Sequence, residues 1–139
     1  MNEKIKIILL NIVYFTWCLP QTLVGLITKL VMAKKVQTVE TYKLESQVNW
    51  IQWYYGVSLG KYILVSIFYK EEENGEFNAK NHEFGHVRQN FMLGPLYLLL
   101  VGLPSITFNI ISQYNDEFAS HYYQRYPENW ADWLGGVKR

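Results

Sequence analysis

Apolar and polar positions divide the chain into two long uncharged runs with strand-like patterning between them. Ile7 to Thr28 carries no charged side chain over 22 residues; Lys4 and Lys6 precede it, and Lys29, Lys34 and Lys35 follow. At 1.5 Å per residue, a helix of that length just crosses a hydrocarbon core about 30 Å thick. The run is longer than the apolar region of a signal peptide and lacks a small-x-small cleavage site, so it predicts a retained N-terminal membrane helix, within an apolar segment of about residues 5–32. Pro20 either kinks that helix or divides it into two short arms. Lysines on both flanks leave its orientation open.

From Val36 to Tyr69 the pattern shifts to short runs rich in Val, Ile, Thr, Tyr and Trp, such as Gln47–Trp53 and Tyr62–Tyr69. These predict strands of a small antiparallel β-sheet, with Gly56 and Gly60 at turns. Lys70–Lys80, rich in glutamate, reads as a solvated loop, and Asn78 as the N-cap of the helix after it. The next charge after Arg88 is Asp116. Within that stretch, residues 91–112 are long enough to span, but Gly102-Leu103-Pro104 interrupts them. The break favours a re-entrant hairpin with its apex near Gly102–Pro104 over a second straight hydrophobic helix. A hairpin also returns the C-terminal helical segment to the side from which the run began. The expectation is therefore an α+β membrane protein forming a single membrane-embedded domain over residues 1–139.

Composition adds bounds. The chain is 50% hydrophobic and 17% aromatic with a net charge of +1, which gives no reason to expect a nucleic-acid partner. The single cysteine, Cys18, lies in an apolar run and reads as a small buried residue, not a nucleophile.

The chemistry concentrates at Asn81-His82-Glu83-Phe84-Gly85-His86, an H-E-x-x-H pattern. On a helix, residues four apart stack on one face, so His82 and His86 aim at one point and suit zinc, with Glu83 in reach of a water there. Gly85 is costly in a helix unless another element approaches closely, and Phe84 supplies an apolar contact away from the histidines. A third histidine six residues on is excluded, because that position is Met92. The candidates for a third ligand are Glu117, His121 and Glu128. Glu128 is favoured because Asp132, four residues later, shares its face and can accept the N–H of a ligand histidine. Gly135-Gly136 ends that helix.

H-E-x-x-H at His82–His86 followed by E-x-x-A-D at Glu128–Asp132 resembles the gluzincin metallopeptidases. The similarity is greatest to their integral-membrane group, which includes the HtpX-like heat-shock peptidases and the CAAX prenyl peptidases. The resemblance implies zinc (Zn2+) held by His82, His86 and Glu128, Glu83 as general base, and Asp132 supporting a histidine. It implies hydrolysis of a peptide or membrane-protein substrate at a lipid bilayer, with the bacterial inner membrane the expected location. Among His121, Tyr122, Tyr123 and Tyr126, His121 ranks first as a catalytic donor to the developing oxyanion, because its charge can change near neutral pH. The chain is much shorter than that group's members, which makes a homo-oligomer one expectation. The rival readings are a zinc-stabilised membrane protein without activity and a metal-free membrane interaction subunit.

Overall fold

Four strands form the centre of the protein, which a computed structural model describes over residues 1–139. They are β1 (Val36–Thr41), β2 (Gln47–Ile51), β3 (Gly56–Leu59) and β4 (Tyr62–Ser66), in the spatial order β1-β2-β4-β3. β1 pairs antiparallel with β2, and β3 antiparallel with β4, but β2 and β4 run parallel. The sheet is therefore mixed, which corrects the antiparallel expectation. The cause lies in β4, where all five residues are buried. A strand apolar on both faces belongs at the centre of a sheet covered on both sides. β4 accordingly inserts between β2 and β3, leaving the short β3 at an edge.

The two faces of β4 feed two cores. Ile63 and Val65 pack with Val48, Trp50, Phe84 and Val87, whereas Tyr62 and Leu64 pack with Ile51 and Leu26. The first core is roofed by α3 (Gly75–Leu93), the second by α2 (Leu19–Val31). Gly60, at φ +60°, turns the β3–β4 hairpin directly beneath Thr22 of α2, where a Cβ would collide. Gly56 begins β3 instead of marking a turn.

The uncharged runs do not form spanning helices. Ile7–Thr28 is divided between α1 (Glu3–Tyr14) and α2, which meet at 94°. Pro20 sits in the first turn of α2, where its missing N–H costs nothing. The second run bends by 120° between Gly75–Leu96 and Leu98–Ser112. That bend follows Gly94, at φ +53°, and Pro95, not the expected apex at Gly102–Pro104. Residues 98–102 make a π-helical turn leading into α4 (Leu103–Ser112), and Pro104 falls in the tolerant first turn of that helix. No single helix is long and apolar enough to cross a membrane. The expected fold of an α+β membrane protein with an N-terminal membrane helix is thus replaced by a small α+β fold with two sharply bent helical pairs.

α3 begins at Gly75, after Asn74 in the left-handed region, so Asn78 lies inside the helix instead of capping it. After α4 come α5 (Asp116–Ser120) and α6 (Glu128–Gly135). α6 crosses α3 at close range through two glycines. A Cβ on Gly85 would strike the carbonyl of Ala131, and one on Gly135 the carbonyl of Asn81. This is the close approach that a glycine inside the motif implies. Gly136, at φ +73°, closes α6 with the bond from Val137 N–H to the Asp132 carbonyl.

Candidate metal centre

The crossing of α3 and α6 assembles the site. Asn81 through Val87 are all buried, so the polar groups of the motif are drawn away from bulk water and call for partners. Phe84 and Val87 face the sheet. His82 and His86 face α6, their rings 4.9 Å apart and perpendicular. Glu128, the first residue of α6, places Oε2 3.0 Å from His82 Nε2 and 3.2 Å from His86 Nε2. Its Oε1 accepts the Ser105 hydroxyl from α4.

The far nitrogens of both imidazoles are spoken for. His82 Nδ1 meets Asp132 Oδ1 at 2.7 Å, and Asp132 in turn accepts from Arg139 Nε at 2.6 Å. His86 Nδ1 meets Gln89 Oε1 at 2.7 Å, and Gln89 Nε2 donates to the Pro127 carbonyl at 3.2 Å. The second bond sets which end of the Gln89 amide faces His86: the oxygen, an acceptor. Both histidines therefore donate from Nδ1 and turn Nε2 towards the same carboxylate oxygen. Two imidazole lone pairs and an anionic oxygen this close repel unless a cation, either a proton or a metal ion, lies among them.

The donor set suits such an ion. His82, His86 and Glu128 each offer one ligand atom, all within 4.8 Å of one another and all from buried residues. A tetrahedral zinc site with bonds near 2.0–2.1 Å separates its ligand atoms by about 3.3 Å, close to the spacing already present. Two nitrogens and one oxygen suit a borderline-soft divalent ion. His82, His86 and Glu128 could thus hold a metal ion.

Without metal, protons do the compensating. Burial opposes charge on His82, but its bonds to Asp132 and Glu128 and the charge of Glu83 outweigh that and raise it to about 9. Burial likewise pushes against ionised Glu128, yet the two histidines hold it far below the usual carboxylate range. Asp132 is also lowered, by His82 and Arg139 acting against burial. Glu83 goes the other way. Burial raises its carboxyl, and the neighbouring carboxylates add to that against the pull of the histidines. Its Oε2 is buried without a hydrogen-bond partner, and its Oε1 lies where a Cβ on Gly56 would stand. Gly56 thus lets edge strand β3 come up against Glu83.

A cavity of ≈ 660 Å³ opens onto these groups. His82, Glu83, His86 and Glu128 line it, β3 contributes Gly56–Leu59, and Tyr122 and Tyr123 close over the histidine side. Burial pushes both phenols up, so both keep their protons. The Tyr123 ring lies 5.3 Å from that of His82.

His121, expected as a catalytic donor, is not brought to this site. It caps α5 on the surface, with Nδ1 beside the Ser120 hydroxyl at 2.8 Å and the Glu117 carbonyl at 3.0 Å, and it does not line the cavity. Glu117 is likewise exposed on α5 and stands outside the donor group. Sequence reasoning missed Gln89, Ser105 and Arg139. Gln89 had a usable signal, since it lies three residues beyond His86 on the same helical face. Ser105 and Arg139 had none.

Fold and site together define a small α+β protein with a buried two-histidine, one-carboxylate group facing a cavity. Comparison with protein-family models, curated proteins and solved structures finds no match.

Proposed function

We propose that the chain is a zinc-dependent metallopeptidase. The observation that carries the reading is the orientation of the two imidazoles, each pinned at Nδ1 and turned at Nε2 onto Glu128, with a cavity in front and no fourth protein ligand closing the group. A structural zinc site would be sealed by that fourth ligand. Zinc held by His82, His86 and Glu128 would supply a Lewis acid to polarise a scissile carbonyl and acidify a water.

The chain's own residues divide the remaining work. Glu83 Oε2, unpartnered and with a raised carboxyl affinity for protons, takes the proton of the attacking water and delivers it to the leaving amine. The phenolic O–H of Tyr122 or Tyr123 donates a hydrogen bond to the developing oxyanion and keeps its proton, the part expected of His121. The free edge of β3 lies alongside Glu83 and can align an extended peptide by backbone hydrogen bonds. The Ser58 carbonyl is already taken by the Tyr97 hydroxyl at 2.9 Å, which removes one acceptor from that edge.

The test is elemental analysis of the purified chain combined with hydrolysis of unfolded, fluorophore-labelled protein, with and without chelator. One zinc per chain and chelator-sensitive cleavage are expected, and Glu83→Gln should keep the zinc and lose the cleavage. Full activity in Glu83→Gln removes Glu83 from the mechanism. Absence of zinc after growth in zinc-supplemented medium refutes the metal reading itself.

A further inference from the structure

The helices that flank the sheet carry their apolar stripes outwards. On α1, Ile5, Ile8 and Ile12 are 51%, 58% and 52% exposed; on α2, Leu23, Ile27 and Leu30 are 45%, 61% and 64% exposed. Leu99, Leu103, Ile106 and Ile110 continue the pattern along 98–112 at 52–61%. Spacings of three and four residues place each set on one helical face. In a helix facing water such a stripe packs inwards, yet no residue of α4 is fully buried. Exposed apolar stripes on three helical segments mark a contact with something.

Three observations say with what. First, the chain carries no charge between Ile7 and Thr28 or between Gln89 and Asn115; exposed Lys4, Lys6, Lys34 and Lys35 border the first run with Glu3 beside Lys6, and Arg88, Asp116 and Glu117 border the second. At the first run four lysines outnumber the single glutamate, and that cationic excess around an uncharged face matches an apolar layer edged by anionic groups. Second, the polar side chains inside these runs are turned back onto the backbone. Asn11, Thr16, Thr28 and Thr107 each donate to the carbonyl four residues earlier, at 2.6–2.9 Å. Such bonds satisfy these groups without water, as an apolar surrounding requires, and the Asn11 oxygen is met by the Lys61 ammonium. Third, the two elbows satisfy each other. Trp17 Nε1 donates to the Phe91 carbonyl at 3.0 Å and Gln21 Nε2 to the Gly94 carbonyl at 2.8 Å, closing carbonyls that the end of α3 leaves open.

We infer that α1, α2 and the 98–112 arm seat in a single leaflet of an anionic lipid bilayer without crossing it, while α3 stays packed on the sheet. α1 is about 18 Å long and the 98–112 arm about 22 Å, each shorter than the hydrocarbon core of about 30 Å. The inference stands apart from the zinc reading, since it uses none of the ligand residues. The two nevertheless meet in space: Val24, Leu103 and Ile106 belong both to this surface and to the cavity wall. A chain lying against the lipid face therefore reaches the cavity without passing through water.

The test is flotation of the full chain with vesicles of phosphatidylcholine alone and of phosphatidylcholine with about one-third phosphatidylglycerol, alongside its mass in lipid-free buffer. Flotation should be several-fold greater with the anionic vesicles. Leu99→Glu with Ile106→Glu should weaken partition about tenfold or more, and Lys34→Glu with Lys35→Glu should remove the preference for anionic lipid. Circular dichroism reports whether these variants fold. On the unaltered chain, vesicles with brominated acyl chains should quench tryptophan emission. No flotation with either vesicle, no quenching, or folded variants that partition unchanged would each overturn the inference. So would a discrete dimer in lipid-free buffer that the Leu99 and Ile106 substitutions dissolve, because the occupant would then be a second copy.

Discussion

Gly85 of α3 lies so close to Ala131 of α6 that a single methyl group on it would strike the Ala131 carbonyl. This bare contact sets the distance between the helix that carries both histidines and the helix that carries Glu128 and Asp132. Gly85→Ala is therefore expected to force the helices apart. Overpacking of this kind costs about 1–3 kcal/mol, and the widened gap should weaken metal binding as well. Urea unfolding and chelator competition measure the two effects; an unchanged midpoint and zinc affinity together would show that the crossing absorbs the methyl group.

Gln89 holds His86 as Asp132 holds His82. Removing either orienting acceptor frees a ring to rotate or change tautomer, which typically costs 10–100-fold in metal affinity. Gln89→Ala and Asp132→Ala should both fall in that range by competition with a coloured chelator, whereas Glu128→Ala, which removes a ligand, should lose far more. Equal losses for all three would contradict the division into ligands and orienting groups.

Zinc uptake should release a proton. His82 titrates at about 9 in the metal-free protein, so it is protonated at neutral pH and must give up that proton to act as a ligand. One displaced proton makes apparent zinc affinity rise close to tenfold per pH unit between about 6.5 and 8.5. Calorimetry in buffers of different ionisation enthalpy counts the proton directly. A zinc affinity flat across that window rules the linkage out.

The metal-free protein should lose stability as pH rises. The folded value of His82 lies above the ordinary 6.5, so its contribution is complete below about 6.5 and disappears as pH climbs through about 9. Raised Glu83 acts in the same sense, whereas lowered Glu128 and Asp132 contribute above their ordinary values and fail only as pH falls. The unfolding free energy should therefore decline between about 6.5 and 9, by no more than about 1.4 kcal/mol per pH unit for one proton. Saturating zinc should abolish the decline. Denaturant unfolding at several pH values, with and without zinc, reads both slopes.

Much of this site was legible because its geometry is local. His82 and His86, four residues apart, must share a face of any helix that contains them, and the same holds for Glu128 and Asp132. Gly85 announced a close neighbour, and Gly135-Gly136 a helix end, because backbone permissiveness is a property of the residue itself. The parts that resisted reading depend on remote partners. An uncharged run of 22 residues states its own hydropathy but not a 94° elbow, whose bond from Trp17 to the Phe91 carbonyl joins residues 74 apart.

The residue order by itself determined which side chains stand together on each helix and which strand is apolar on both faces, because both follow from the repeat of the backbone. Tertiary structure decided the rest: that β4 lies between β2 and β3, that Glu128 and not His121 meets the histidines, and that Gln89, Ser105 and Arg139 complete the group. Those outcomes turn on which distant surfaces bury one another and which buried polar atoms then find partners, and no local periodicity encodes that choice.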